Sequence, residues 1–402
     1  MNLEQGGSRR RQFALFFVGA GLLAMAAVVF DTTFNNYVRD TFHIGAGARG
    51  VLELPREFPG LAVTLLAGAL LFLPEVRVAS VAGACAALGA IGLAFWSDSY
   101  AAMISWMVLF STGTHLMMPV QGAMAVGLAD PGRRGKRLGQ LGLATTTAAV
   151  VGCLLVWAIH ERTPGNFRAT FLLAACLSAS AGVVFLWMRP HMAHNPRRPK
   201  LVFRRRYGLF YVLCALFGAR KQIFLTFGPW VIITVFGKSA AVIALLVFVG
   251  RVVGIPVKPL LGRLIDRVGP RAVLIADAVI LVGVCMGYAF AGRIPNPAVA
   301  LAVVYGCYVL DDLLFAIGMA RTVYVARIAP SQEDVVGTLA AGVSINHAVS
   351  MTVPAMGGLL WARMGSPEPV FLVAAGVMLV TFVCTLFVRA PRPAENKEEV
   401  RA

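Results

Sequence analysis

Along the 402 residues, long apolar stretches alternate with short polar breaks. Twelve stretches can be drawn, at residues 12–38, 47–73, 77–96, 100–128, 138–160, 167–188, 207–236, 240–262, 271–292, 296–327, 335–362 and 368–389. Each has about the 20 residues that a helix needs to cross the hydrocarbon core of a bilayer. The longest break, "RPHMAHNPRRPKLVFRRR" (Arg189–Arg206), is rich in Pro and Arg and splits the stretches six and six. The pattern predicts an all-α integral membrane protein with twelve transmembrane helices in two pseudo-symmetric bundles. These are expected at 1–189 and 207–402, the second ending in a tail, with a basic linker at 190–206 between them. An internal echo fits two matching halves: "LADPGRRGKRLGQLG" (Leu128–Gly142) opens the fifth stretch and "IAPSQEDVVGTLAAG" (Ile328–Gly342) opens the eleventh.

Composition agrees with that pattern. Mean hydropathy is +0.76, and only 14% of residues are charged, against about 25% in soluble domains. The net charge of +17 would suit nucleic acid, but its distribution does not. Most of the cations fall in alternate breaks, among them Arg9–Arg11, "GRRGKR" (Gly132–Arg137) and Arg197–Arg206. The opposite breaks hold Arg39, Arg49, Arg162, Arg168, Lys238, Arg293 and Arg363. By the positive-inside rule both termini are expected in the cytoplasm, with the basic loops against anionic lipid. No nucleic-acid partner is expected. The seven cysteines are scattered through the apolar stretches without disulfide or zinc spacing. The first stretch reads as a full span rather than a cleavable signal. No N-x-Ser/Thr sequon occurs, which fits a bacterial inner membrane.

Between stretches 8 and 9 lies "GRLIDRVGPR". This G-x-x-x-D-R-x-G-x-R pattern, carried by Gly262, Asp266, Arg267, Gly269 and Arg271, resembles the signature loop of the major facilitator superfamily. "PGRRGKRLGQLG" and the Pro-Gly-Gly pattern of "VPAMGG" (Pro354, Gly357, Gly358) are similar to other members, and the likeness extends over the whole chain. The corresponding loop after stretch 2 is degenerate, with Phe72 in place of the aspartate. The resemblance implies two six-helix bundles around a central cavity, with Asp266 helping to latch the cytoplasmic side. A contact of Asp266 with the positive start of the eleventh helix is expected, and the two loop glycines are expected to allow close packing and a tight turn.

Charges at mid-membrane depth give the candidate site. "ARKQIF" puts Arg220 and Lys221 in the middle of stretch 7. Two central cations cost about 5–7 kcal/mol on insertion scales, and the surrounding Leu, Ile, Val and Phe residues supply roughly that much in return. Such a helix needs protein or water around its cations. "YVLDDLLF" offers Asp311 and Asp312 at matching depth in stretch 10, and "SINHAV" adds Asn346 and His347. The resemblance places stretches 7 and 10 against the cavity. Arg220, Lys221, Asp311, Asp312, Asn346 and His347 are therefore the expected solute-binding residues, although a purely structural clasp is also open. In the first half, Asp31 and "LELPREFPG" supply Glu53, Arg56 and Glu57. Helical spacing groups the last three, and Pro55 and Pro59 disturb the helix. Proton coupling or an external salt-bridge gate are the two readings of that group. Lys258 is expected to pair with Asp277, and Arg321 to snorkel to the interface.

The function expected is a secondary active transporter for a small polar or charged solute, coupled to protons, with an organic anion as the favoured cargo. The alternative is a drug or lipophile efflux antiporter using Phe224, Phe227 and Trp230. Related drug antiporters carry an arginine in the fourth helix, where this chain has Met107, and a Gly-Pro pair in the fifth, which "GLATTTAAVVG" lacks. No G-x-x-x-x-G-K-[ST] phosphate loop is present. "HMAH" (His191, His194) has metal-binding spacing but no acidic or cysteine neighbours. No enzyme, cofactor or resident metal is expected, and a monomer is.

Overall fold

A computed structural model of the chain describes residues 2–65, 73–129, 134–190 and 202–389. Among the described residues the regular elements are helices. They are α1 (Asn2–Phe42), α2 (Ala46–Val51), α3 (Glu53–Leu65), α4 (Glu75–Phe95), α5 (Tyr100–Gly127), α6 (Arg134–Arg162) and α7 (Phe167–Leu186) in the first half. The second half has α8 (Gly208–Thr234), α9 (Ala240–Phe290), α10 (Pro297–Leu314), α11 (Gly318–Ile328), α12 (Gln332–Met364) and α13 (Glu368–Leu386). Among the described residues ten helical stretches are long and apolar enough to cross a membrane. The longest, Ala240–Arg293, contains two of the twelve runs read from the sequence. The second run begins in α2 and α3 and continues into residues outside the description. The chain is a multi-pass integral membrane protein.

Breaks in these helices have local causes. Gly269 has φ 83° and ψ 163°, a conformation open to glycine and strained for other residues. Pro270 disfavours a helical conformation for the residue before it and is well placed to start the next helix. The tight turn expected from the glycine is thus made inside α9. At Leu52, α2 ends and α3 begins one residue later. Pro55 lacks the N–H that would have bonded the Val51 carbonyl, which accounts for the interruption there. The 3-10 turn Phe315–Ile317 joins α10 to α11 within one apolar run.

Two compact units emerge. One comprises Met1–His43, Pro55–Arg198 and Lys238–Arg251, and the other Ile44–Leu54, Pro199–Gly237 and Val252–Ala402. The division follows the two halves except for two exchanged segments. In the first unit, α4 packs against α5 and α7, and α1 against α6 and α7. Small residues permit this, as is usual between membrane helices. A side chain at Gly83 would strike the backbone of Gly182 and Ser178, and one at Gly89 the backbone of Phe110 and Trp106. Asn36 Nδ2 donates to the Lys238 carbonyl at 2.9 Å, anchoring the exchanged segment Lys238–Arg251.

In the second unit α12 packs on α8 and on α2, and the Pro-Gly-Gly pattern explains how. Gly357 faces the ring of Phe227 on α8, whereas Gly358 faces the Ala46 carbonyl and Gly50 of α2. A side chain at Gly50 would meet the Pro354 carbonyl. Gly218 of α8 lets the backbone of Asn346 approach in the same way. The end of the basic linker is tied down from Val202 onward. Val202 N donates to Gly337 O, Tyr207 and Arg204 both reach Asp334 Oδ2 at 2.9 Å, and Arg206 donates to Ile328 O. His191, His194 and Phe72 lie outside the described residues. The seven cysteines are free thiols.

The backbone-to-backbone crossing of α2 and α12 has no room for side-chain atoms. Gly50→Val or Gly358→Val should destabilise the protein by about 1–3 kcal/mol, read as a drop in melting temperature in detergent. Gly262→Ala, where no atom lies within 4 Å of the new methyl, should leave it unchanged.

Candidate functional site

The charge cluster expected from stretches 7 and 10 centres on one ion pair. Arg220 of α8 and Asp311 of α10 are buried, 2% and 6% exposed, and Arg220 Nη2 lies 2.5 Å from Asp311 Oδ1. The same nitrogen reaches the Asp311 carbonyl at 3.4 Å. Phe315, Phe224 and Phe217 surround the guanidinium, with ring centroids 4.7, 5.6 and 6.0 Å from Cζ. Aromatic faces favour a desolvated cation, so the arginine is held by one carboxylate and a cage of rings. Lys221 and Asp312, one residue further along each helix, are only partly buried. Neighbours on a helix point about 100° apart, so only one member of each doublet joins the buried pair. On α12, His347 is buried, and Asn346 Oδ1 accepts from Ser350 Oγ at 3.1 Å.

The residues expected at the start of stretch 2 share α3 and have different partners. Glu53 is fully buried in the second unit, where Arg49 Nη1 binds its Oε1 at 2.6 Å and Gln222 Nε2 its Oε2 at 2.6 Å. Arg49 was assigned to an external loop from its position in the sequence. It is instead a helical residue of α2, 1% exposed. Arg56 and Glu57 belong to the first unit. Arg56 Nη1 lies 3.4 Å from Asp31 Oδ1, and its Nη2 lies 3.7 Å from Glu57 Oε1. Glu57 Oε2 is 3.9 Å from His115 Nε2. The His115 ring is held by Ser111 of α5, with Nδ1 2.9 Å from the Ser111 carbonyl and 3.0 Å from its hydroxyl. Ser111 Oγ also donates to the Arg56 carbonyl. Asp31, Arg56, Glu57 and His115 thus form a chain of ionisable groups running inward from an exposed carboxylate to a buried histidine.

Glu53, Arg56 and Glu57 all lie on α3, as their spacing predicts. Glu53 is engaged by Arg49 of α2 and Gln222 of α8, whereas Arg56 reaches Asp31 of α1. Three further residues, Gln222, Ser111 and His115, were not identified as partners from sequence. The Arg49–Glu53 and Ser111–His115 pairs have a readable signal, their i,i+4 spacing.

Asp277 does not pair with Lys258. It shares a buried hollow with Arg220 and Arg321. Arg321 lies over the Phe217 ring at 3.6 Å rather than reaching for an interface. In the signature loop, Asp266, Arg267 and Arg271 are exposed. Asp266 has no hydrogen bond or ion pair among the described residues. At the start of α12, Ser331 Oγ accepts from Asp334 N, while Asp334 is engaged by Tyr207 and Arg204. Gly262 has no close neighbour, so its expected packing role is not seen. Phe224, Phe227 and Trp230 are each no more than 2% exposed. Phe224 packs on Tyr288 and Phe371, and Phe227 on Trp361, inside the second unit.

Glu53 accepts from two donors at once, so removing it should be costlier than removing either donor's bond alone. Breaking a buried ion pair costs about 3–5 kcal/mol, and losing a hydrogen bond to a charged group about 1.5–3 kcal/mol. Glu53→Ala should therefore melt well below Gln222→Ala in a detergent thermostability assay.

Solved structures with the same architecture include the nucleoside transporter NupG, at 14% identity and TM-score 0.75 over 93% of this chain and 98% of that one. A bacterial homologue of the iron transporter ferroportin in an inward-facing state has 16% identity and TM-score 0.72, covering 94% and 98%. The peptide transporter POT in complex with sulfate has 16% identity and TM-score 0.70, covering 94% and 93%. None of the curated protein sequences compared with the chain matches it. The sequence profile of the Major Facilitator Superfamily matches residues 16–323. With a profile match over most of its length and a helical architecture shared with known transporters, this chain belongs to the Major Facilitator Superfamily.

Proposed function

We propose that the protein is a secondary active transporter that carries a small polar or charged solute by alternating access, coupled to protons. Its membrane is taken to be a bacterial inner membrane, with both termini in the cytoplasm. The observation that carries this reading is the Arg220–Asp311 pair, two buried ionic groups from separate spans. Ionisable groups inside a membrane protein usually mark a substrate or ion path. The partly buried Lys221 and Asp312 sit beside that pair on the same helices, where a charged solute would find both signs of charge. Organic anions are the first class to test, because the cations of α8 match a carboxylate or phosphate. Asn346 and His347 are the supporting polar groups.

Proton coupling is assigned to the first unit. Asp31, Arg56, Glu57 and His115 include two carboxylates and an imidazole, and histidine titrates near neutral pH. Glu53, held by Arg49 and Gln222, has the geometry of a gate component rather than of a carrier, since both its oxygens are engaged. A drug or lipophile exporter is the weaker reading. The aromatics it would use, Phe224, Phe227 and Trp230, are packed in the core of the second unit.

Two experiments test the reading. In a thermal-shift screen of anionic, zwitterionic and cationic metabolites, an anionic hit should be lost in Arg220→Ala and weakened in Asp311→Asn. A hit indifferent to both substitutions removes the proposed site. In proteoliposomes, uptake of that hit should collapse with a protonophore. Glu57→Gln should abolish its dependence on the pH gradient while leaving the thermal shift intact, and uptake that ignores the gradient in the unmodified protein excludes proton coupling.

A further inference from the structure

The second unit has a small hollow, about 20 Å³, lined by Arg220, Asp277 and Arg321 together with Phe217, Met378 and Thr381. It lies among α8, α9, α11 and α13. Arg220 uses only Nη2 for Asp311, and its Nε and Nη1 are buried without hydrogen-bond partners. Asp277 Oδ1 is also buried without a partner, in a side chain 8% exposed. Arg321 stacks on Phe217 and leaves this oxygen unmet.

Two donors and an acceptor, left unpartnered on residues that line one hollow, are each deprived of the hydration they had in water. The charges decide what closes the gap. An anion would sit against Asp277, and a cation against Arg220 and Arg321. A neutral molecule that both donates and accepts satisfies each side. The volume admits one water, which needs about 10–15 Å³ and two to four polar partners. Thr381 supplies another partner. Its hydroxyl already donates to the Val377 carbonyl, so its lone pairs remain for the water's second hydrogen.

We propose that one buried water joins Asp277 to Arg220 and makes Asp277 the second counter-ion of that arginine. When Asp311 is neutralised or drawn to a solute, Arg220 stays held by an anion within its own bundle. The use of this reserve partner in a transport cycle rests on the reading above, but its existence does not.

Two measurements test it without any transport assay. X-ray hydroxyl-radical footprinting of the unmodified protein in ¹⁸O-water should oxidise Met378 although it is only 2% exposed, with slow uptake of the label. An unmodified Met378 overturns the bridge. In thermal melts, Asp277→Asn and Asp311→Asn should each stay within a few degrees of the parent, because one carboxylate remains. The double variant should lose more than the sum of the two, and adding Arg220→Gln should restore it. Recovery of folded protein only when Arg220→Gln is present would support the proposal equally. Strictly additive losses, or no rescue by Arg220→Gln, overturn the counter-ion role. Either failure leaves the transport reading standing, and failure of the uptake tests leaves this one standing.

Discussion

An ionic group inside a hydrocarbon layer must be neutralised by protein, because lipid offers nothing to replace its hydration. That constraint organises this molecule. Arg220 meets Asp311, Arg49 meets Glu53, and Arg56 lies between Asp31 and Glu57. The first and last of these join separate apolar runs. Arg49–Glu53 lies within one, and Gln222 ties it to α8. Buried pairs of this kind add little net stability compared with apolar packing. What they supply is register, since each charge has few places where it is satisfied.

Packing between the helices follows a second constraint. With no hydrophobic difference between lipid and leucine, association depends on close approach, and small residues provide it. Gly50 and Gly358 let α2 and α12 touch through their backbones. The close crossing sets Glu53, a turn beyond, in the same unit as Gln222 of α8, to which it is bonded. The glycines and the buried charges are therefore parts of one arrangement.

The two ionic groupings differ in character, which is why they receive different roles. Glu53 has both oxygens engaged by buried donors. The Asp31–Arg56–Glu57–His115 series includes separations of 3.4–3.9 Å and has an exposed end. Tight bonds suit a part that holds a conformation. A series that begins at an exposed carboxylate and ends at a buried histidine suits groups that pass protons inward. Arg220 stands between these extremes, with Nη2 bound firmly to Asp311 and its Nε and Nη1 buried without a hydrogen-bond partner.

Sequence alone determined the membrane class, the alternation of spans and breaks, and the signature loop. Each of these depends on composition and periodicity along one helix, or on a motif contiguous in the chain. Tertiary structure decided which member of each doublet is buried, because a 100° turn between neighbours has no fixed origin until the helix packs. It also decided that Glu53 is engaged by Gln222 of α8 while Arg56 meets Asp31 of α1. Asp277, Gln222 and His115 acquired their partners only in three dimensions. Their neighbours come from other spans, and nothing along the chain records which spans will lie side by side.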